Sequence, residues 1–206
     1  MIDKSGPLIG WATKACAELW KGAIQPGIAY DEISLQHIYE RSKKAHREIK
    51  QAAADIGTQT HRAIEAYLRD NSTPPPDEGT PVRSCYDAAR NWLSSHVIQT
   101  VALERISYSR QFRYIGTPDD IAYVDGVLSL IDWKSSKGIY PEYFLQTAAY
   151  VRAYGEETGD YCKKRYIVKL GKEDGQFEVV ERGLHHGDFL AFQAALKLYN
   201  YLKANK

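Results

Sequence analysis

Residues 116–136, GTPDDIAYVDGVLSLIDWKSS, read as two apolar strands around a tight turn, yet they carry charges where a sheet favours branched aliphatic side chains. Asp125-Gly126 between alternating segments signals a two-residue hairpin loop, because both positions tolerate positive φ. With Val124 facing Val127, Tyr123 faces Leu128, Ile121 faces Leu130 and Asp119 faces Asp132. Two opposed carboxylates with β-carbons about 4.5–5.5 Å apart destabilise a hairpin unless positive charge lies between them. Lys134, two residues beyond Asp132, falls on the same face, whereas the same parity sends Asp120 to the other. A hard divalent cation is the natural occupant of such a cluster. The competing reading is a surface ion pair of Asp132 and Lys134 worth at most about 1 kcal/mol. A three-residue loop would slip the register and bring Asp120 opposite Asp132 instead.

Outward from the hairpin, the chain divides into helices first and sheet second. Helical spacing of apolar residues predicts segments over 7–21, from about Asp31 to Ala54, over 58–69 behind a Thr58 cap, and over 82–97, with Gly57 as a break. The proline-rich 71–81 stretch, NSTPPPDEGTP, predicts an exposed loop. Beyond residue 100 the period shortens to two, predicting strands over 105–114, 119–124 and 127–133. A helix over 142–154, a second hairpin of 164–170 with 176–181, and a closing helix over 188–203 follow. The expected fold class is α/β (α+β): a mixed central sheet flanked by helices, with an N-terminal helical region. We expect one domain over 1–206, in which the helical region 1–98 precedes a sheet core 99–206.

The 206 residues are 44% hydrophobic, and 27 Lys and Arg against 26 Asp and Glu leave a formal charge of +1, which excludes a protein that coats nucleic acid by bulk charge. Cys16, Cys85 and Cys162 are too far apart for a metal or redox motif, which points to a reducing compartment. No window approaches the roughly 18 apolar residues of a membrane span, and a cytoplasmic location in a bacterial or phage-infected cell is expected.

Four elements in order then resemble a known family. GTPD at 116–119 and IDWK at 131–134 resemble the PD-(D/E)XK nuclease signature, in the RecB-type exonuclease form found in phage exonucleases and the mitochondrial genome maintenance exonuclease. GTQTHRAIEAYL at 57–68 resembles that family's upstream histidine-bearing helix, and LQTAAY at 145–150 its downstream Gln-x-x-x-Tyr helix. Together they span about half the chain. The resemblance implies a restriction-endonuclease-like core. It also implies one or two Mg²⁺ or Mn²⁺ ions held by Asp119, Asp132, His61 and the backbone carbonyl of Trp133, and no iron–sulfur cluster. Lys134 would hold the attacking water or the scissile phosphate, while Gln146 and Tyr150, one helical turn apart, would face the lysine or the DNA backbone. Glu65 would orient His61 from one turn further on.

The implied activity is a metal-dependent deoxyribonuclease, an exonuclease on single-stranded DNA ends in replication, recombination or repair. A structure-specific or flap endonuclease is the nearest alternative, and a catalytically silent nuclease-like DNA-binding module is the alternative of another class. Lys137, Tyr140 and Tyr143 are further candidates for DNA contact. The run Arg41, Lys43, Lys44, Arg47 and Lys50 is another, against a plain solvated helix face.

Overall fold

The computed structural model describes residues 5–70, 73–183 and 186–205. Contacts divide the chain into two compact units, residues 1–56 and 57–206. In the first, helix α1 (Ser5–Ala23) is followed by a turn and the start of α2 (Glu32–Arg69). The Tyr30 hydroxyl ties this turn together, donating to the Ala23 carbonyl at 3.1 Å and accepting from the Gln25 amide at 2.9 Å. The Asp31 carboxylate accepts from the Ser34 amide at 2.7 Å and so caps α2. Trp11 meets His46 edge-on, and Ala15, Ile38 and Ala45 are buried. The expected break at Gly57 does not occur, since α2 runs unbroken for 38 residues. The cost of a glycine in a helix interior, about 1 kcal/mol, is outweighed locally.

The second unit takes the end of α2 and adds α3 (Pro81–Ser94), whose first turn is capped by the Thr80 hydroxyl accepting from the Arg83 amide. A five-stranded sheet follows, made of β1 (Ile98–Leu103), β4 (Asp120–Val124), β5 (Val127–Lys134), β6 (Lys164–Leu170) and β7 (Phe177–Gly183), in the order β1-β4-β5-β6-β7. All neighbours are antiparallel except β5 and β6, which run parallel because α4 (Pro141–Thr158) crosses between them. A mixed sheet flanked by helices therefore forms, with an N-terminal helical region before it. Gly159, at φ 83, ends α4 in the left-handed conformation that glycine adopts without strain.

The strand expected over 105–114 is instead two short strands, β2 (Ser107–Ser109) and β3 (Tyr114–Gly116), forming their own two-stranded sheet. Arg113 at φ 56 turns the chain between them. The sequence reading also missed β1, whose ladder with β4 is interrupted by a bulge between Thr100 and Ala102. In the β4–β5 hairpin, Val124 pairs with Val127 as expected and the ladder runs back to Asp120 opposite Ile131. Asp125 and Gly126 both have positive φ, at 50° and 81°, which sets the two-residue loop and hence the register.

Alternation along β4 and β5 splits the core between two layers. On one face Ala122, Val124, Ile131 and Trp133 pack with Ile64 of α2 and with Cys85, Ala89 and Trp92 of α3. On the other, Ile121 and Leu130 meet Val151 and Tyr154 of α4 and Cys162. Arg165 of β6, only 2% exposed, braces α4 and α5 (His186–Ala204) against the sheet. It donates to the Phe144 carbonyl at 2.9 Å and the Gly183 carbonyl at 3.1 Å, and it pairs with Asp188 at 2.7 Å. Among the described residues, no helix is long and apolar enough to cross a membrane.

Candidate functional site

Charged side chains converge where β4 begins and β5 ends. Asp119 lies one residue before β4, just beyond the last ladder pair. Its backbone carbonyl accepts from the Glu104 amide at 3.0 Å, and its Oδ2 accepts from the Trp133 amide at 2.7 Å. The Trp133 carbonyl, which in an extended strand points to the same side as its own N–H, therefore faces Asp119 as well. Asp132 is 1% exposed, and its Oδ2 sits 2.6 Å from the Lys134 ammonium. Oδ2 is thus taken by this ion pair, whereas Oδ1 has no hydrogen-bond partner among the described residues. Burial, reinforced by the Asp119 charge, pushes the Asp132 carboxyl above its ordinary range against the opposing pull of Lys134 and His61. Burial also opposes the Lys134 ammonium, but Asp132 and Asp119 outweigh it and hold that group above its ordinary range.

His61 projects from the last three turns of α2. Its Nδ1 is 3.4 Å from Asp119 Oδ1 and 3.8 Å from Glu104 Oε1. Burial disfavours the imidazolium, yet the facing Asp119 and Glu104 carboxylates outweigh burial and lift His61 to about 10. Without a bound cation, the protonated ring itself is the positive charge between two acids. One ligand atom from each of His61, Glu104 and Asp119 lies within 4.8 Å of the others, so these three can hold a metal ion. Carboxylate oxygen with one imidazole nitrogen suits Mg²⁺ or Mn²⁺ better than a soft ion. The three sit beside a cleft of about 440 Å³ lined by Gly57, Thr58, His61, Arg62, Glu65 and Glu104. A larger hollow of about 790 Å³ near Arg105 and Arg110 has its acids already engaged, since Glu156 and Glu157 accept hydrogen bonds from Ser109 and from the Tyr108 amide. The metal-capable group of His61, Glu104 and Asp119 therefore lies at the smaller cleft.

Helix α4 brings the remaining groups to the Asp132 face. Gln146 donates to the Tyr150 hydroxyl at 2.7 Å, and burial together with the Asp132 charge holds that hydroxyl above its usual range. The Tyr150 ring packs on Gly116, where a β-carbon would come within 2.5 Å of it. The glycine of GTPD thus makes room for the tyrosine of the LQTAAY helix. Gly57 has a parallel use, because a β-carbon there would lie 3.3 Å from the Ser135 hydroxyl, next to Lys134. Tyr143 lies under the Lys134 ammonium, 5.0 Å from nitrogen to ring centroid, and Tyr140 meets Tyr143 edge-on.

Other expected residues lie apart from this cluster. Lys137 is exposed beyond β5 and lines a separate hollow of about 220 Å³ with Lys169 and Lys172. Arg41, Lys43, Lys44, Arg47 and Lys50 are exposed on α2 in the first unit. Glu65 does not face His61, since its carboxylate is taken by Arg69 at 2.6 Å. The acid beside His61 is Glu104, which the sequence reading missed. Glu104 follows β1 at φ 47, and no periodicity or motif marks such a position.

No protein-family model matches the chain, and no curated protein matches it in sequence. Among solved structures, it is similar to a crystal structure from Eubacterium rectale described as a "putative exonuclease", with 12% identity and a TM-score of 0.45. That likeness covers 69% of this chain and 64% of the other, so less than two thirds of the other chain's length is matched.

Proposed function

We propose that this chain is a divalent-metal-dependent nuclease that hydrolyses phosphodiester bonds in DNA, acting as an exonuclease on single-stranded ends. The observation that carries the proposal is the meeting of Asp119, Asp132, Lys134 and His61 at one sheet end, with Asp132 buried, its Oδ2 on the Lys134 ammonium and its Oδ1 without a hydrogen-bond partner among the described residues. The β4–β5 hairpin, the α4 crossover and the parallel β6 support a restriction-endonuclease-like core around that point. All 206 residues are read as one nuclease domain, with His61 supplied by the helical region and the acids and lysine by the sheet core.

Phosphodiester hydrolysis needs a nucleophile at neutral pH, a sink for charge on the pentacovalent phosphate and help for the departing alkoxide. Asp119, Asp132, His61 and the Trp133 carbonyl would hold the Mg²⁺ or Mn²⁺, which supplies an acidified water and a Lewis acid for the phosphate. Lys134, between Asp132 and the face of Tyr143, points a compact ammonium toward the same place and donates to the water or to a non-bridging oxygen. Gln146 and Tyr150 hold each other one turn apart and orient the lysine and the sugar–phosphate backbone. Tyr140, 42% exposed beside Tyr143, offers a ring on which an unpaired base stacks. Lys137 gives the adjoining backbone a counter-charge. Replication, recombination or repair in the cytoplasm is the setting such an activity fits.

The test is digestion of end-labelled DNA, single- and double-stranded, linear and circular, with Mg²⁺ or Mn²⁺ and with chelator. Linear single strands should shorten from an end, circles should survive, and chelator should stop the reaction. Asp132→Ala and Lys134→Ala should each lower the rate by roughly 100-fold or more while the circular dichroism spectrum stays unchanged. Intact DNA with both metals would overturn the proposal, and nicked circles would replace its exonuclease part with an endonuclease.

A further inference from the structure

Glu104, the cleft acid that faces His61, has no part in the ligand set just described. We infer that Glu104 is itself a cation ligand, binding together with His61 and Asp119 on the cleft side of the centre, an inference that rests on the metal-dependent reading above. The distances support it. Six ligands at about 2.1–2.2 Å from one ion stand roughly 3 Å apart when adjacent and roughly 4.3 Å apart when opposite. His61 Nδ1 is 3.4 Å from Asp119 Oδ1 and 3.8 Å from Glu104 Oε1, and the three atoms all fall within 4.8 Å. Shifts of a few tenths of an ångström bring them onto a shared ion.

Orientation supports it too. The Trp133 amide engages Asp119 Oδ2, which leaves Oδ1 as the oxygen turned to His61 and Glu104. The Glu104 amide donates to the Asp119 carbonyl, so the two acids are tied at the backbone and their separation does not depend on loop motion. Among the described residues, the Glu104 carboxylate meets no cation but His61, whereas Glu65 on the same cleft is neutralised by Arg69. Glu104 is 37% exposed, which gives a hydrated ion a path from solvent into the cleft.

A separate observation directs a cation here and not to some other pair of surface acids. Asp132 is 1% exposed, its Oδ2 is held by Lys134 while its Oδ1 has no hydrogen-bond partner among the described residues, and its charge interacts with both Asp119 and His61. Lys134 faces this buried carboxylate and the protonated His61 lies between Asp119 and Glu104, so the three acids Asp119, Asp132 and Glu104 still exceed the two cations by one negative charge when ionised.

The experiment is a Mn²⁺ titration of the full chain without DNA, in which the paramagnetic resonance signal of free aqueous Mn²⁺ reports binding. Glu104→Gln should weaken affinity roughly tenfold or more. Glu104→Asp should recover part of it. Glu178→Gln, which removes a distant acid paired with Lys169, should leave it unchanged. Because Glu104 has a left-handed backbone, Glu104→Asn serves as a second variant that accepts that conformation without the carboxylate, and it should weaken binding to the same extent. Affinity within twofold of the parent in the Gln and Asn variants would overturn the inference. Cleavage of DNA by the parent separates the two claims. A parent that cuts DNA while Glu104→Gln binds Mn²⁺ normally loses this inference alone. A parent that needs Glu104 for Mn²⁺ but leaves DNA intact loses the nuclease reading alone.

Discussion

Replacing Asp120 by asparagine should stabilise the metal-free protein above neutral pH and leave its stability nearly unchanged near pH 4. Asp120 stands between Leu103 and Ile131 on neighbouring strands, fully buried, and among the described residues neither carboxylate oxygen has a hydrogen-bond partner. Burial, with a contribution from the Asp119 charge, pushes its carboxyl from 3.8 up to about 7. An acid whose folded pKa exceeds its unfolded one carries a penalty that is absent below 3.8, grows as pH rises through the window and is complete above about 7. At about 1.4 kcal/mol per pH unit, the full penalty is on the order of 4 kcal/mol. Asparagine keeps the volume and removes the charge, and its amide meets the same partnerless surroundings as the protonated carboxyl it replaces, so that cost is common to both proteins. The expected gain at pH 8 is therefore on the order of 4 kcal/mol, or roughly 8–16 °C in melting temperature for a chain of this size. Thermal melts of both proteins in chelator from pH 4 to pH 8 measure it. A difference that does not change with pH, or a variant that melts lower at pH 8, would refute the reasoning.

Two further substitutions test the scaffold around the site. Gly116→Ala places a β-carbon within 2.5 Å of the Tyr150 ring, so the ring must move and the Gln146–Tyr150 hydrogen bond must break. We expect destabilisation of about 1–3 kcal/mol and a loss of DNA cleavage of roughly tenfold or more, measured by melting and by initial rates; full activity would contradict the placement of Tyr150. Arg165→Met removes the donor held by the Phe144 and Gly183 carbonyls and by Asp188, and should cost about 3 kcal/mol or more in urea unfolding. A cost below about 1 kcal/mol would mean that Arg182, which also reaches Asp188 at 3.4 Å, suffices as its partner.

The hairpin was legible because its turn chemistry leaves few alternatives. Asp-Gly at positive φ imposes a two-residue loop, and the loop then imposes every pair along β4 and β5. The elements around it were less legible wherever a non-glycine residue takes a conformation that its type does not announce. Arg113 at φ 56 folds RISYSRQFRY, which alternates like one long strand, into two short ones, and Glu104 at φ 47 turns an acid into the cleft. β1 was hidden by its bulge, which breaks the two-residue period that the sequence reading relied on. Gly57 misled in the opposite sense. Read as a helix stop, it is a helix-interior residue whose missing side chain admits Ser135. The same type of residue thus served as turn former at 126 and as close-packing site at 57, and composition alone does not tell these apart.

The distribution of charge across this sheet end is costly for a fold judged by stability alone. Asp119, Asp132 and Lys134 gather on one side, Asp120 is sealed on the other without a partner, and Glu104 faces His61 from the end of β1. Two like charges about 4 Å apart repel by roughly 4 kcal/mol at an effective dielectric constant of 20, and Glu104 and Asp119 offer oxygens within 4.8 Å of each other while the Asp119 charge also acts on Asp120 and Asp132. Apolar residues at 120 and 132 would continue the Ile121, Leu130 and Ile131 packing without that repulsion. A dication binding at His61, Glu104 and Asp119 would relieve the repulsion between Glu104 and Asp119 and, through Asp119, that acting on Asp120 and Asp132. The stability withheld from the metal-free fold would then reappear as affinity for the ion, because a ligand that binds only the folded chain stabilises it in proportion to that affinity. Adding Mn²⁺ should therefore raise the melting temperature of the parent more than that of Asp120→Asn, since the variant has less repulsion left to relieve.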